Sequence, residues 1–290
     1  YGTGMYIERA LQRHCNTITV RMGGYEPYNL LRRLSPRPLV KLMDKIIKLK
    51  FRTRFPQPDL VLVVDPVRCN FDFGNFDAPT AYYAIDSHVA FSKHIEEAKV
   101  SDYDFVFVAQ RDWTPKYKEH GCERVYWLPL ACDPDIHRRW NQPLRYDLCF
   151  LGGILAGSKR EQTISKLKRN FNVFVGKAYL HEMAKIYSQS RIIFNESLLG
   201  DLNMRVFEAM SCGRLLLTDR VGNGLEELFR DKKHLVIYDD YSDLIQKIRH
   251  YLNNPKQSER IALNGLREVH KHHTYSHRVR YLIETILGKD

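Results

Sequence analysis

One segment, residues 195–228, contains the residue types best suited to binding a phosphorylated ligand. Its sequence, NESLLGDLNMRVFEAMSCGRLLLTDRVGNGLEEL, predicts a strand end, a loop and a short helix that carries Arg205 and Glu208. A loop that enters a helix N-terminus can hold phosphate, because unpaired N–H groups and the helix dipole point there. A carboxylate just inside that helix can accept hydrogen bonds from a sugar diol, as acidic residues do from ribose elsewhere. The segment therefore predicts a site for a nucleotide diphosphate.

A glycine turn earlier in the chain is a second candidate for phosphate binding. Gly152 and Gly153 follow the predicted strand DLCFL, and the loop that they begin runs to Lys159 and Arg160. A flexible turn with basic residues suits a phosphate, and arginine can hold one through two hydrogen bonds. The alternative interpretation is a surface turn whose charges are solvated.

Two further glycine turns resemble ligand loops. Gly222-Asn223-Gly224 precedes Glu226 and Glu227, and its glycines permit positive φ. The alternative here is a purely structural turn. Gly2-Thr3-Gly4 predicts a first glycine-rich turn that approaches the phosphates or the acceptor. Since such a turn normally follows a strand, we expect a short strand upstream of Tyr1.

Asp86-Ser87-His88 directly follows the apolar run TAYYAI, which predicts a strand. The triplet should therefore lie at the carboxyl end of that strand, the edge where open α/β sheets bind ligands. His88 could act as a base or hydrogen-bond a sugar, because its ordinary pKa is near working pH. Asp86 either orients His88 or is itself the base of an inverting reaction. The alternative for His88 is a buried or helix-capping side chain.

The composition is that of a folded protein without metal or membrane-spanning signals. The 290 residues suffice for two domains. We find no run of about 18 apolar residues and no signal peptide, and we expect a cytoplasmic protein. The six cysteines form no C-x-x-C pair, which favours reduced, packed thiols. The histidines lack ligand spacing, so we expect no metal site.

The net charge of +11 is concentrated in one segment. Residues 32–54 contain nine lysines and arginines against Asp44, and their apolar residues recur at helical spacing. This basic amphipathic helix could lie on an anionic membrane, which would make the protein peripheral, or meet an acidic acceptor. The alternative is a solvated helix that covers the domain core. Aromatic side chains are not interleaved with the charges, so we expect no nucleic-acid partner.

Short Val-, Ile-, Leu- and Phe-rich runs alternate with helical patterns along most of the chain. Such runs predict parallel strands buried on both faces, hence an α/β protein. The polar segment Pro134–Tyr146 separates two α/β halves. We therefore predict two doubly wound domains that face each other across a cleft.

The stretches LNMRVFEAMSCGRLLLTD, LVIYDDYSDLIQKIRHYLNNP and RIALNGLREVHKHHTYSHRV make the chain similar to the GT-B glycosyltransferases, and most similar to the spore-maturation CgeB-like family. The resemblance is strong over residues 124–287 and weaker over the N-terminal half. It implies a Rossmann-like acceptor-side domain at 1–140, a Rossmann-like nucleotide-sugar domain at 141–273, and a helix at 274–290 that crosses back onto the first domain.

Site residues follow from the resemblance. Glu208 matches the second glutamate of the E-x7-E signature of retaining enzymes, which binds ribose, whereas Gly200 occupies the place of the first. Helix-start N–H groups and a basic pair would bind the diphosphate. The donor-binding residues implied are Glu208, Arg205, Asn203, Met204, Gly153, Lys159, Arg160 and Gly224. His88 and Asp86 would be catalytic, and Gly2 and Gly4 would form the first glycine loop.

The resemblance implies metal-independent sugar transfer from a UDP-, GDP- or dTDP-sugar, with retention, and no cofactor. The acceptor would be a glycan, a lipid-linked molecule or a protein. Two alternatives remain at this stage. One is a nucleotide-sugar epimerase or hydrolase of the same fold, which would turn over without acceptor. The other is a non-catalytic membrane-surface protein, favoured by the basic segment and by Gly200.

Overall fold

The computed structural model describes residues 2–19, 57–65, 77–100 and 102–288, with no account of the Val100 side chain. The basic segment 32–54, with its predicted helix, lies outside the described residues, as do Tyr1 and Cys69. The described chain forms two α/β domains, each built on a parallel sheet.

The first domain contains a four-stranded parallel sheet in the order β1-β2-β3-β4. Its strands are β1 (Val61–Val64), β2 (Thr80–Ala84), β3 (Phe105–Val108) and β4 (Val125–Trp127). The two middle strands are wholly buried, as expected for apolar runs that are covered on both faces. The helices of this domain are α1 (Thr3–His14), α2 (Ser87–Val100) and α3 (Thr114–Glu119), with a 3₁₀ turn at Arg111–Trp113.

The second domain contains a five-stranded parallel sheet in the order β6-β5-β7-β8-β9. Its strands are β5 (Tyr146–Leu151), β6 (Val173–Gly176), β7 (Ser190–Asn195), β8 (Leu215–Asp219) and β9 (Val236–Tyr238). The chain places β6 on one side of β5 and then crosses to place β7 on the other. The crevice between the ends of β5 and β7 is therefore a topological switch point, the usual ligand site of such sheets.

Seven helices of the described chain belong to the second domain or follow it. They are α4 (Lys159–Lys168), α5 (Leu180–Ser188), α6 (Met204–Ser211), α7 (Leu225–Leu228), α8 (Tyr241–Asn253), α9 (Pro255–His272) and α10 (Tyr275–Leu287). Thr274 begins α10 with a capping box, in which its side chain accepts from the His277 N–H.

Helix α10 returns to the first domain and packs against α1. The ring of Tyr275 stacks on Tyr6, with 5.3 Å between centroids. The buried guanidinium of Arg278 donates to the carbonyls of Pro129 and Leu130, at 2.7 and 3.2 Å. The predicted GT-B architecture, with its returning C-terminal helix, is confirmed.

Hydrogen bonds also join the domains across the cleft. The side-chain amide of Gln110 accepts from Leu202 N at 2.9 Å and donates to Leu202 O at 3.4 Å. The backbone N–H of Asn223 donates to Asp112 at 2.9 Å, and its side chain accepts from Asp112 N at 3.2 Å. The two domains are therefore in contact beside the cleft, at two separate loops.

Candidate active site

A cavity of about 410 Å³ lies between the two domains. The first domain contributes Gly2–Gly4 at the start of α1, together with residues at the carboxyl ends of all four strands, such as Asp65, Asp86 and Gln110. The second contributes Asp201, Asn203 and Met204, which lead into α6. The carboxyl ends of parallel strands share one edge of a sheet, so polar residues distant in sequence converge here.

Asp86 lies on the cavity wall and begins α2, where its carbonyl accepts from the N–H groups of Val89 and Ala90. Partial withdrawal from water, and then the Asp65 carboxylate, raise the pKa of Asp86 above its usual value. His88 is half-buried on the first turn of α2 and is not among the residues that line the cavity. Its Nδ1 is buried without a hydrogen-bond partner among the described residues. The structure thus brings Asp86, rather than His88, to the cavity.

Asp65 belongs to this wall and contacts His94 of α2, and neither residue was predicted from the sequence. Asp65 follows β1 with φ of 44°, a left-handed conformation that non-glycine residues rarely adopt. Its Oδ1 lies 3.1 Å from Nε2 of the fully buried His94. The sequence signal was an aspartate directly after the strand VLVV, the same placement that identified Asp86.

The segment Gly2-Thr3-Gly4 also reaches the cavity, but it is not a loop. Helix α1 begins at Thr3, with Gly2 as its N-cap residue. Its backbone at Gly2 is extended, with φ of −137°. The cavity therefore receives the N-terminus of a helix, instead of the predicted glycine-rich turn.

Asn203 is the N-cap residue of α6, yet its side chain does not cap the helix. Both polar atoms of this side chain are buried, and neither has a hydrogen-bond partner in the described part of the chain. Met204 is held in place, because its sulfur accepts from the Tyr275 hydroxyl at 3.0 Å. The N-terminus of α6 thus opens on the cavity with an unsatisfied amide beside it.

Arg205 ties together the ends of the two strands that flank the switch point. Its Nε donates to Leu151 O at 2.7 Å, and its Nη1 donates to Asn195 Oδ1 at 2.5 Å. A Cβ at Gly152 would lie 2.1 Å from Arg205 Nη2, so a side chain at this position would displace the guanidinium. Arg205 does not form an ion pair with Glu208, although the two residues are one helical turn apart.

The predicted basic pair after the glycine turn is divided between two roles. Arg160 is buried and donates to Gly153 O at 2.8 Å and to Glu196 O at 2.5 Å, which joins the loops after β5 and β7. Lys159 is exposed, with its Nζ 3.4 Å from Glu196 Oε1. Lys159 is therefore the member of the pair that remains accessible to a ligand.

Glu208 is buried, at 6% exposure, and faces the interface with α1 and α10. Its Oε1 lies 3.5 Å from Nε2 of His137, whose Nδ1 accepts from Asp133 N at 3.0 Å. The proton of the neutral imidazole is therefore on Nε2. Burial raises the pKa of Glu208 to about 7 and lowers that of His137 to about 4.

Gly224 begins α7 with φ of +87° and lies against the first domain. A Cβ at this position would come within 2.3 Å of Trp127 Cζ2. Gly224 is not among the residues that line the cavity. After this glycine, Glu226 accepts from Arg220 at 2.8 Å, and Glu227 contacts Arg111 of the first domain. The loop 222–224 therefore forms an interdomain contact.

The described residues contain no group of three or more His, Cys, Asp or Glu side chains placed to hold a metal ion. Among the described helices, none has the length and apolarity needed to cross a membrane. The five described cysteines, Cys15, Cys122, Cys132, Cys149 and Cys212, are free thiols.

Residues 154–284 match the glycosyl transferase-like family. No curated protein sequence matches the chain significantly. The matched region begins in the loop after β5 and ends in α10, so it contains β7 and α6 but not β5.

Several solved structures have a similar fold at low sequence identity. Anabaena HepE, solved with UDP and glucose, matches with a TM-score of 0.67 and 12% identity, over 97% of this chain and 89% of HepE. Sucrose-phosphate synthase from Thermosynechococcus elongatus matches with a TM-score of 0.60 and 12% identity, over 94% and 83% of the two chains. A glycosyltransferase from Rickettsia africae matches with a TM-score of 0.58 and 12% identity, over 97% and 88%.

The solved structures show that the chain has the GT-B fold. Residues 154–284, a little under half of the chain, are similar to the glycosyl transferase-like family.

Proposed function

We propose that this enzyme transfers a sugar from a UDP-sugar to a hydroxyl of an acceptor, without a metal ion. The observation that carries the proposal is the position of α6. Its N-terminus lies beside the switch-point crevice between β5 and β7 and also reaches the interdomain cavity. HepE, which has this fold, has been solved with UDP-glucose and with UDP and glucose. These structures make UDP the first nucleotide to test, ahead of GDP and dTDP.

The nucleotide would lie in the crevice with its diphosphate at the N-terminus of α6. The free N–H groups and the helix dipole favour negative charge there. Lys159 is near enough to the same crevice to approach the diphosphate, since its partner Glu196 directly follows β7. These groups would stabilise the charge that develops on the leaving diphosphate, and this is the role a metal ion would otherwise fill.

Glu208 is the candidate ligand of the ribose. It is on α6, three residues beyond Arg205, and its carboxyl group becomes ionised near pH 7. Ribose hydroxyls donate hydrogen bonds to a carboxylate, so bound nucleotide would favour the ionised form. Arg205 and Arg160 would act indirectly, because their guanidinium groups hold the loops after β5 and β7 together.

The reaction would proceed with retention of configuration. The bond between the anomeric carbon and the diphosphate oxygen breaks, and the acceptor oxygen bonds to the same face of that carbon. The acceptor proton passes to the leaving diphosphate, and Asp86 orients the acceptor hydroxyl. An inverted product would instead assign Asp86 as the base, and its raised pKa suits that role also.

Nucleotide binding tests the assignment directly. We would measure thermal unfolding with UDP-, GDP- and dTDP-glucose, for the wild type, for Glu208→Ala and for Glu119→Ala, a control at an exposed position on α3. One nucleotide should stabilise the wild type and the control, and should stabilise Glu208→Ala much less. Absence of stabilisation by all three nucleotides would contradict the proposal, and equal stabilisation of Glu208→Ala would contradict the ribose role. NMR of the product anomer would then decide the stereochemistry.

The CgeB-like subgroup, a cytoplasmic location and attachment to a membrane surface are also proposals. The charge of residues 32–54 supports attachment, because about 1 kcal/mol per basic residue is available near anionic lipid. Sedimentation with vesicles containing 30% phosphatidylserine, compared with neutral vesicles, measures it. Equal binding to the anionic and the neutral vesicles would contradict attachment to an anionic membrane surface.

A further inference from the structure

The interdomain cavity is acidic. Three of the residues that line it are aspartates, namely Asp65, Asp86 and Asp201, whereas none of its described lining residues is a lysine or an arginine. Away from the N-terminus of α6, whose N–H groups favour an anion, such a wall is unsuited to a carboxylate, because the nearby like charges repel. It is well suited to hydroxyl groups, which donate hydrogen bonds to carboxylates.

Asn203 supplies an independent sign that a polar ligand belongs here. Both polar atoms of its side chain are buried without a partner among the described residues, on the wall of the cavity. Buried polar groups are almost always hydrogen-bonded, because leaving one unpaired is unfavourable. An amide both donates and accepts, so a sugar hydroxyl could satisfy either atom.

Asp201 is fixed in position beside Asn203. It is only 8% exposed, and its Oδ1 accepts from Leu198 N at 2.9 Å. It immediately follows Gly200, which has no side chain to offer a ligand and adopts φ of +75°. A carboxylate held by its own loop in this way can accept from a ligand with little loss of side-chain entropy.

We propose that this cavity binds an uncharged, hydroxyl-rich sugar ring, and that Asp201 and Asn203 select this ring against acidic sugars such as uronic acids. If the ring belongs to the donor, this proposal rests on the proposed function. The ring could belong to the donor or to the acceptor, and the chemistry of the cavity is the same for both. A carboxylate on the ring would lie within a few ångströms of Asp201 and Asp86. The described lining residues include no lysine or arginine that could offset the repulsion between these charges.

The donor is tested by calorimetric titration of UDP, UDP-glucose and UDP-glucuronate. We expect UDP-glucuronate to bind about tenfold or more weakly than UDP-glucose, since a like-charge pair at such distances costs more than 1.4 kcal/mol. Asp201→Asn removes one charge and keeps the acceptor oxygen for Leu198 N. This variant should bind UDP as the wild type does. Its affinities for UDP-glucose and UDP-glucuronate should differ several-fold less than those of the wild type. Glu119→Gln also replaces a carboxylate by an amide, but at an exposed position, and it should leave this difference in affinity unchanged.

The acceptor is tested with the free sugars, by saturation-transfer NMR of glucose and glucuronate, with and without saturating UDP. The inference is supported if glucose gives a saturation-transfer signal that Asn203→Ala weakens, and glucuronate gives none. This result counts even if no nucleotide binds. If all nucleotides fail to bind, the proposed function is wrong, and this arm still decides the inference. If UDP binds but glucose and glucuronate derivatives bind equally in both arms, the inference is overturned and the proposed function remains. Unchanged UDP binding shows that Asp201→Asn is folded, and Asp86→Asn provides a second test of the charge effect.

Discussion

Nε2 of His137 lies 3.5 Å from Oε1 of Glu208, and both side chains are buried at the interface between the two domains. The backbone N–H of Asp133 fixes the imidazole so that Nε2–H faces the glutamate and the hydroxyl of Tyr6. Since burial raises the pKa of Glu208 and lowers that of His137, the pair is mostly uncharged just below neutral pH. A carboxyl group that binds ribose would have to ionise in this setting.

Glu208→Gln should change how stability depends on pH. The pKa of Glu208 is about 7 in the folded state and 4.5 as its ordinary value, so the folded state binds the proton more tightly. Stability from this group is complete below pH 4.5 and is lost as the pH rises to 7. The free energy of unfolding of the wild type, relative to Glu208→Gln, should therefore fall by about 2–3 kcal/mol from pH 5 to 8. Urea titrations across this range measure it.

His137 contributes with the opposite sign, because its pKa is depressed. It remains neutral above pH 6.5 and destabilises the folded state as the pH falls towards 4. This contribution is common to the wild type and the variant, so it cancels in the difference. A difference that does not vary with pH would mean that Glu208 ionises normally in the folded protein.

The two neighbouring glycines after β5 should respond differently to alanine. Gly152→Ala would place a Cβ 2.1 Å from Arg205 Nη2, whereas a Cβ at Gly153 would meet nothing within 4 Å. We expect Gly152→Ala to displace Arg205, to cost about 1–3 kcal/mol of stability and to weaken nucleotide binding. Gly153→Ala should stay within about 0.5 kcal/mol of the wild type. Denaturation and nucleotide titration of both variants test this, and equal effects would contradict the geometry.

Gln110→Ala should loosen the contact between the domains. The variant loses both bonds to Leu202 and leaves that buried backbone N–H without its acceptor. We expect a loss of about 1–3 kcal/mol and a larger radius of gyration in X-ray scattering. Gln162→Ala, at an exposed position on α4, is the matched control. An unchanged radius for Gln110→Ala would show that the remaining contacts hold the domains closed.

Arg278→Lys should destabilise the protein although it keeps the charge. Burial lowers the pKa of Arg278 to about 10, and its guanidinium donates to two carbonyls that follow β4, those of Pro129 and Leu130. A lysine cannot reproduce this fork, so we expect a loss of about 2–4 kcal/mol. Arg280→Lys, two residues further along the same helix and exposed, should have almost no effect. Thermal unfolding of the pair tests it, and similar melting temperatures would contradict the role of Arg278.

The strands could be predicted from the sequence because each is a short run rich in apolar residues, and β2, β3 and β9 are wholly buried. Each of the nine strands of the described chain, from Val61 to Tyr238, coincides with such a run. Helices α2 and α3 were not predicted. The first contains a non-helical residue at Ala90, which interrupts its apolar spacing, and the second is only six residues long.

The site could be predicted only in part, because its contacts are long-range. The sequence identified Asp86 and Asn203 by their places at a strand end and a helix start. It gave no sign that Arg160 and Arg205 are held by backbone carbonyls, or that Gly224 meets the first domain. It also missed Asp65 and His94, which are 29 residues apart in the chain and meet only when α2 packs beside the end of β1.

Trp127 can report on the separation of the two domains, because it lies at the contact between them. Its indole donates to Ala109 O at 3.2 Å and packs against the left-handed glycine of the other domain. If the cleft opens, water reaches the ring and its emission moves to longer wavelengths. The natural sequence therefore provides an optical reporter of domain separation, and stopped-flow fluorescence could time the opening of the cleft without any label.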